Sequence, residues 1–180
     1  VNGDGDQEAK GFMNINVYPE AAVDVYERGK LGTLTTASAG DFDDEDLIDL
    51  QSHVLEPYQP GSQWLMHRRS WAKCLKLKDS EGRYLLDAMR LLQNGVGPQL
   101  LSAPVRLGGD MAKPSGNSYT SGLLPIAYGD FRRCYYILRR VGINMIVDPF
   151  TKKGFIKYFM YTRFGGGLRN FQGIKRLKIQ

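Results

Sequence analysis

Residues 155–164 read Phe-Ile-Lys-Tyr-Phe-Met-Tyr-Thr-Arg-Phe, a run rich in aromatic and basic side chains. Side chains alternate across a β-strand, and this alternation places mostly apolar side chains on both faces. Such a strand fits between two packed layers better than it fits a platform for stacked nucleotide bases. The run therefore predicts a buried strand in a β-rich part of the chain.

The sequence around this run predicts further antiparallel strands. They are expected at 134–140, 143–147 and 173–179, separated from one another and from 155–164 by glycine, proline and lysine turns. Gly165, Gly166 and Gly167 follow the run directly, without the Lys-Ser/Thr or the following helix of a phosphate-binding loop. We interpret these three glycines as a wide turn between two strands.

Two amphipathic helices are predicted upstream. The first begins at Asp43 and is stopped by Pro57, with acidic residues in its first turn, where the helix dipole favours them. The second is expected at 69–78. Their apolar faces are formed by Leu47, Leu50, Val54 and Tyr58 in the first helix and by Trp71, Cys74 and Leu75 in the second. Helices and an antiparallel sheet in one chain predict an α+β fold.

The remaining segments are assigned from turn chemistry and short apolar runs. Strands are predicted at 12–17, 63–66 and 100–107, a loop or hinge at 28–42, and a turn at 79–82. Residues 93–122 are rich in glycine and proline and are expected to be mostly loop.

Composition excludes several classes of protein. The chain has 180 residues, 42% of them hydrophobic and 24% charged, which suits one domain or two small lobes. No apolar run approaches the roughly 18 residues that span a bilayer. Cys74 and Cys134 lie far apart and outside any CxxC pair, so we expect two half-buried free thiols rather than a disulfide framework or a zinc site.

Charge is distributed steeply along the chain. Residues 1–60 hold 3 Lys and Arg against 13 Asp and Glu, a net charge of −10, whereas residues 131–180 hold 12 against 1, a net charge of +11. Two explanations are open: the basic end binds nucleic acid, or acidic and basic faces meet in neighbouring copies of the chain. We favour the second.

Catalytic chemistry finds little support in the sequence. His53 follows Asp49 by four residues and is expected to form an exposed ion pair, and His67 stands beside Arg68 and Arg69, which would lower its proton affinity. Neither histidine has a second ligand at metal spacing. Residues 2–13 do not form a calcium loop, because the sixth position is Gln7 instead of glycine and the twelfth is Met13 instead of glutamate. We predict no enzyme activity, no cofactor and no metal site.

Several sequence blocks, taken in order, resemble the major capsid proteins of tailed phages, which have the Hong Kong 97-like fold. They span nearly the whole chain and are Asn2-Gly3-Asp4-Gly5 with Gly11-Phe12, Asp46-Leu47-Ile48-Asp49-Leu50, Trp64-Leu65-Met66, Leu75 to Leu85, Leu100-Leu101-Ser102-Ala103-Pro104-Val105, Ile126-Ala127-Tyr128-Gly129-Asp130-Phe131, Tyr161-Thr162-Arg163-Phe164-Gly165-Gly166-Gly167 and Ile174-Lys175-Arg176-Leu177-Lys178. Ser102-Ala103 departs from the family pattern, which usually has a glycine there.

The resemblance implies a shell subunit with two domains. Residues 37–140 would form the axial domain, and residues 1–36 with 141–180 part of the peripheral domain. The family's N-terminal arm, extended loop and spine helix would precede Val1, so the chain is expected to be a C-terminal fragment. Gly129, Asp130, Phe131, Arg163, Gly165, Gly166 and Gly167 would form a structural motif that sets backbone shape.

The resemblance also implies partners and a location. The protein would pair with itself in pentameric and hexameric capsomers, and possible further partners are portal, scaffold or maturation protease, with packaged DNA bound non-specifically at the inner surface and no membrane. It would be found in the virion capsid, and in the bacterial host cytoplasm during assembly. The alternatives are a nucleic-acid-binding module using the basic C-terminal third, and a hydrolase such as a capsid-maturation protease.

Overall fold

The computed structural model describes residues 1–6, 8–78, 81–86 and 97–180, apart from the side chain at position 141. Its helices are α1 (Asp44–Ser52), a 3-10 helix (Glu56–Gly61), α2 (Arg68–Cys74) and the short α3 (Phe131–Cys134). Its strands are β1 (Glu20–Ala22), β2 (Leu31–Thr35), β3 (Gln63–Met66), β4 (Gln99–Leu100), β5 (Ala103–Leu107), β6 (Ile126–Gly129), β7 (Tyr135–Asp148), β8 (Lys157–Leu168) and β9 (Ile174–Lys178).

Seven of these strands form one mixed sheet in the order β1-β2-β9-β6-β3-β5-β4. Strand β9 lies in the interior of the sheet, parallel to β2 and antiparallel to β6. The most C-terminal strand is therefore flanked by two strands that precede it in the sequence. Strand β3 is antiparallel to β6 and parallel to β5. The sheet therefore depends on pairings between residues more than 100 positions apart.

Both faces of this sheet are covered by apolar clusters. One cluster packs α1 and the start of the 3-10 helix against the sheet around Trp64, whose indole Nε1 donates to the Leu100 carbonyl at 2.9 Å. The other packs residues 12–18 and the start of the ribbon against Leu31 and Ile174. Because each fully buried large apolar side chain contributes roughly 1.5–3 kcal/mol, these two clusters are the main source of stability.

Helix α1 is held at its start by a capping box. The Asp43 carboxylate accepts from the backbone at Asp46, and the Asp46 carboxylate accepts from the Asp43 backbone N–H at 3.0 Å. Leu47, Leu50 and Val54 are buried as their spacing predicts, which confirms the apolar face. The helix ends at Ser52, earlier than predicted, because the Gln59 side chain donates to the carbonyls of Gln51 and Val54 and so ends the α-helical ladder.

Strands β7 and β8 form a separate two-stranded antiparallel ribbon, which we call the ribbon. β7 replaces the two strands predicted at 134–140 and 143–147 with a single strand, whose register shifts between Arg139 and Asn144. The prediction of a strand buried between two layers is not met by the described residues, since both Phe159 and Met160 are 62% exposed on opposite faces. Both faces of the ribbon are thus open to a covering layer.

Three of the predicted segments differ in the structure. Residues 12–17 form turns instead of a strand, because the Asn14 side chain accepts from the Asn16 backbone N–H at 3.0 Å and bends the chain. The predicted loop at 28–42 contains β2, which is stabilised by pairing with β1 and β9. The single strand predicted at 100–107 is a hairpin of β4 and β5.

Other differences concern glycines, helix ends and thiols. The predicted glycine turn at 165–167 lies inside β8, opposite Tyr136–Leu138. Helix α2 ends at Cys74 rather than at residue 78. Cys74 and Cys134 are free, as predicted, but fully buried rather than half-buried. Residues 79–80 of the predicted turn, and 93–96 of the predicted loop, lie outside the described residues.

The α+β class and the strand at 63–66 are confirmed. Within the described ranges, no helix is both long and apolar enough to cross a membrane.

Candidate functional site: the junction between sheet and ribbon

The ribbon meets the sheet at two short segments, residues 129–134 and 168–173, which we call the junction. The Asp130 backbone N–H donates to the Gly173 carbonyl at 3.0 Å, and the Arg169 N–H donates to the Cys134 carbonyl at 2.7 Å. These hydrogen bonds hold helix α3, which precedes β7, against the turn that follows β8. The junction therefore sets how the ribbon leaves the sheet.

Gly129 occupies a backbone position that a side chain could not share. Its φ of 151° is one that L-residues rarely adopt, and a Cβ built there would overlap the Gly173 carbonyl oxygen. The close approach of Gly129 to Gly173 allows the hydrogen bond from the Asp130 backbone N–H to the Gly173 carbonyl. Glycine is required here for geometry.

Asp130 caps helix α3 from a buried position. Its carboxylate accepts from the Arg133 backbone N–H at 3.1 Å, and its Oδ2 lies 3.3 Å from Nε of the exposed Arg133 side chain. Gly61 makes room for it, since a Cβ at Gly61 would lie 2.5 Å from Oδ2. Phe131 follows and packs its ring 5.3 Å from Phe12, tying the junction to the N-terminal segment.

A Cβ at Gly166 would overlap the Tyr135 hydroxyl, so glycine is required there. A Cβ at Gly167 would be in ordinary contact with the Tyr18 hydroxyl, at 3.5 Å. Tyr18 in turn accepts from the Leu168 N–H at 2.9 Å, and Tyr135 donates to the Lys10 carbonyl at 2.7 Å. Gly165 has open space around it, so the structure gives it no packing requirement.

The predicted motif residues fall into two places. Gly129, Asp130 and Phe131 lie in the junction, and Gly165, Gly166 and Gly167 lie in β8 close to it. Arg163 lies further out, opposite residue 141 in the part of the ribbon with irregular register, and is exposed. That these residues act together as a shape-setting motif stays a prediction.

Arg176 joins the same region from inside the sheet. It is fully buried, and its guanidinium donates to the carbonyls of Phe12 (3.1 Å) and Tyr18 (3.2 Å) and to the Thr33 hydroxyl. Desolvation lowers the pKa of this guanidinium to about 10, opposed by the charge of Glu20. In the sequence Arg176 lies next to Lys175 and two residues before Lys178, so the local pattern does not distinguish it as the buried base.

Neither histidine is placed for general acid or base chemistry. His53 forms its ion pair with Asp24, at 2.6 Å between Nδ1 and Oδ1, rather than with Asp49, whose carbonyl accepts from the His53 N–H. His67 caps α2 by accepting from the Arg69 N–H at 3.1 Å. Desolvation first, and then the charges of Arg68, Arg69 and Lys113, lower the pKa of His67, as predicted in direction.

The buried thiols are poor nucleophiles. Desolvation raises the pKa of Cys74 to about 12 and that of Cys134 to about 11, so both are protonated near neutral pH. Among the described residues, no group of three or more His, Cys, Asp or Glu side chains could hold a metal ion.

The fold of the chain has counterparts in solved capsids. The capsid of an empty GTA particle, computed with C5 symmetry, superimposes with a TM-score of 0.80 at 27% identity over 99% of this chain and 59% of that one. The capsid of a native GTA particle gives a TM-score of 0.81 at 28% identity over 99% and 58%. A chain of Gordonia phage Cozz, at 17% identity and a TM-score of 0.52 over 100% and 56%, is similar in fold.

These similarities define the Hong Kong 97-like α+β fold. The family model described as "Phage capsid family" matches residues 1–179, and the chain belongs to that family. It spans a little under three-fifths of the length of the solved capsid chains, and no curated protein matches it. The alternative of a nucleic-acid-binding module gains no support from these matches.

Proposed function

We propose that the protein is a structural subunit of a phage or prophage head, assembling with copies of itself into the shell that holds packaged DNA. The observation that carries the proposal is the family match over residues 1–179 together with the similarity to GTA capsids at TM-scores of 0.80 and 0.81. On this proposal the function is geometric, and the protein's own chemistry is limited to contacts between subunits.

A role without catalysis is supported by the chemistry of the described residues. The two thiols are protonated and buried, and each histidine is engaged in a cap or an ion pair. A maturation protease would need a nucleophile and a base in contact, which these residues do not provide. We therefore propose that the chain has no enzyme activity.

The exposed ribbon supports assembly. Ile137, Ile143, Phe159 and Phe164 are each more than 60% exposed along β7 and β8. A row of exposed large apolar side chains on a protein marks a surface that another layer covers. We propose that this layer is protein of the assembled shell, and that residues 1–36 with 141–180 belong to a peripheral domain and 37–140 to an axial domain.

The proposed partners follow from the proposed role. Copies of the chain would form pentameric and hexameric capsomers, with portal, scaffold and maturation protease as further partners. Packaged DNA would contact the inner surface without sequence preference, supported by the net charge of +11 over residues 131–180. Assembly would take place in the bacterial host cytoplasm, and the finished subunit would lie in the virion capsid.

The test compares the protein expressed from its complete gene with the 180-residue chain, by negative-stain microscopy and sedimentation. Closed shells or capsomer rings from the complete gene are expected. A Phe159→Ser/Met160→Ser variant should lose them, whereas Val25→Ser/Tyr26→Ser, which removes exposed apolar side chains from a loop, should assemble. A wild-type product that stays monomeric and binds DNA with a steep dependence on salt would contradict the proposal.

A further inference from the structure

An open cleft of about 780 Å³ lies beside the junction. Its lining includes Tyr58, Gln63, Asn170 and three arginines, Arg132, Arg133 and Arg169. Arg133 is already engaged, since its Nη1 donates to the Pro57 carbonyl at 3.0 Å and its Nε lies 3.3 Å from Asp130. The side chains of Arg132 and Arg169 are exposed and have no partner in the part of the chain that the structure describes.

Two guanidinium groups without partners in one cleft form a candidate anion-binding site. Each guanidinium presents N–H donors in a planar fork that matches the two oxygens of a carboxylate. Among the described residues, Asp130 is the one acid that lines this cleft, and it is buried and already bonded to the Arg133 backbone and side chain. The anion must therefore come from outside the cleft.

The same chain carries a matching acidic surface on α1. Glu45 and Asp49 are four residues apart and share the exposed face of that helix, with Ile48, 52% exposed, beside them. Neither carboxylate has a partner among the described residues. Asp44 is exposed as well and lies in the first turn, where the helix dipole favours an acid. Of the other acids nearby, Asp43 and Asp46 cap the helix, and Asp41 lies 2.5 Å from Lys73.

Ring symmetry explains why these two surfaces are separate on one subunit. A ring of identical subunits uses a head-to-tail contact, in which one patch on each copy meets a different patch on the next. An arginine cleft and an acidic helix face, each without a partner in its own subunit, satisfy that requirement. The exposed Ile48 would supply an apolar centre to the contact, next to the ring of Tyr58.

We propose that the cleft of one subunit receives the α1 face of the next, with Arg132 and Arg169 pairing with Glu45 and Asp49 of a second copy. This inference rests on the proposed function and deepens it by naming the contact. DNA phosphate is the competing anion. It is disfavoured because the chain itself carries an unpartnered acidic face with an apolar centre, which a phosphate backbone lacks.

A charge swap in the protein expressed from its complete gene tests the contact. Arg132→Glu/Arg169→Glu should lower the shell fraction at least about tenfold, because like charges would then face each other at every subunit contact. Glu45→Lys/Asp49→Lys should do the same. The four substitutions together should restore shells. Arg28→Glu/Lys76→Glu changes net charge equally at two exposed sites outside the cleft and should assemble normally.

Each outcome decides the inference. Restoration of shells by the fourfold variant supports it, and folding of the double variants is checked by circular dichroism and by their monomer sedimentation. Normal shells from either double variant overturn it while leaving the proposed function in place. Normal shells that have lost DNA in the arginine variant assign the cleft to nucleic acid and also overturn it. A wild-type protein that forms no shells overturns the proposed function, and the inference falls with it.

Discussion

Arg176 supplies hydrogen-bond donors to backbone carbonyls of the N-terminal segment, as a neighbouring strand would. Residues 12–18 have no ladder to the sheet, and their carbonyls at Phe12 and Tyr18 are satisfied by one buried guanidinium. Replacing Arg176 by Met keeps the approximate volume but leaves these acceptors buried without donors, at about 1–3 kcal/mol each. A side chain that is polar in sequence thus stabilises an apolar core.

We expect Arg176→Met to lower the free energy of unfolding by about 3 kcal/mol or more in urea titrations. Arg140→Met, at an exposed position of the ribbon, removes the same charge and should change it by less than about 0.5 kcal/mol. Equal urea midpoints for the two variants would show that the carbonyls of Phe12 and Tyr18 find other donors.

Burial of Cys74 and Tyr119 makes stability sensitive to high pH. Desolvation raises the pKa of each to about 12, and Tyr119 also donates to the Ser70 hydroxyl at 2.8 Å. An acid whose pKa is raised by folding stabilises the native state fully below its unfolded pKa, and this contribution is lost as pH rises toward the folded value. The affected window runs from about pH 9 to about pH 12.

We expect the thermal midpoint to fall as pH rises through this window, with a shallower fall in Cys74→Ala. The native protein should also react slowly with a thiol reagent at pH 8 and rapidly once unfolded in urea, because both thiols are buried. Fast labelling of either cysteine in the folded protein would contradict the burial of these side chains.

At the scale of elements, the turn of the β4–β5 hairpin has a strained backbone, because two non-glycine residues have positive φ. Leu101 and Ser102 form its two-residue turn with φ values of 48° and 64°, both in the left-handed region that favours Asn and Gly. This is the place where the sequence departs from the family pattern. We expect Leu101→Asn/Ser102→Gly to raise the free energy of unfolding by about 1 kcal/mol in urea titrations. Ser102→Ala keeps the unfavourable φ and should give no gain.

The junction gives a second test at this scale. Gly129→Ala places a methyl group on the Gly173 carbonyl at a φ of 151° and should cost about 3 kcal/mol or more of stability. Gly165→Ala, in open space within β8, should cost less than about 1 kcal/mol. Thermal midpoints that shift equally would remove Gly129 from the structural motif.

The sequence predicted elements well where local pattern and burial agree. The apolar spacing of α1 and the strand at 63–66 were found because their side chains face a core. β2 was missed because Gly32 and its threonines carry no strand pattern of their own, and the strand forms only between β1 and β9. The junction was predicted in Gly129 and Asp130 but not in Gly173, Tyr18 or Arg176, because contacts between residues more than 40 positions apart leave no local signal.

At the scale of the whole molecule, the sheet and the ribbon should differ in local stability. The sheet is covered on both faces, whereas the outer ribbon pairs only with itself and exposes its side chains. Amides of β6 and β9 should therefore exchange hydrogen only through global unfolding, and amides at 143–147 should exchange faster by local opening. Hydrogen exchange with mass spectrometry measures both.

The same experiment on assembled shells should slow exchange in the ribbon while leaving β6 and β9 unchanged, since the added layer covers only the ribbon. Ribbon amides that exchange equally fast before and after assembly would mean that the exposed apolar faces stay uncovered in the shell.

The place of β9 between β2 and β6 has a consequence for synthesis on the ribosome. Six strands of the sheet are synthesised before β9, which joins β2 to β6, so the core is completed only after residues 174–178 have been synthesised. A chain released early by a nonsense codon or a stalled ribosome lacks that strand and should be degraded instead of entering a growing lattice. On the proposed function, this strand order would keep truncated subunits out of the assembled shell.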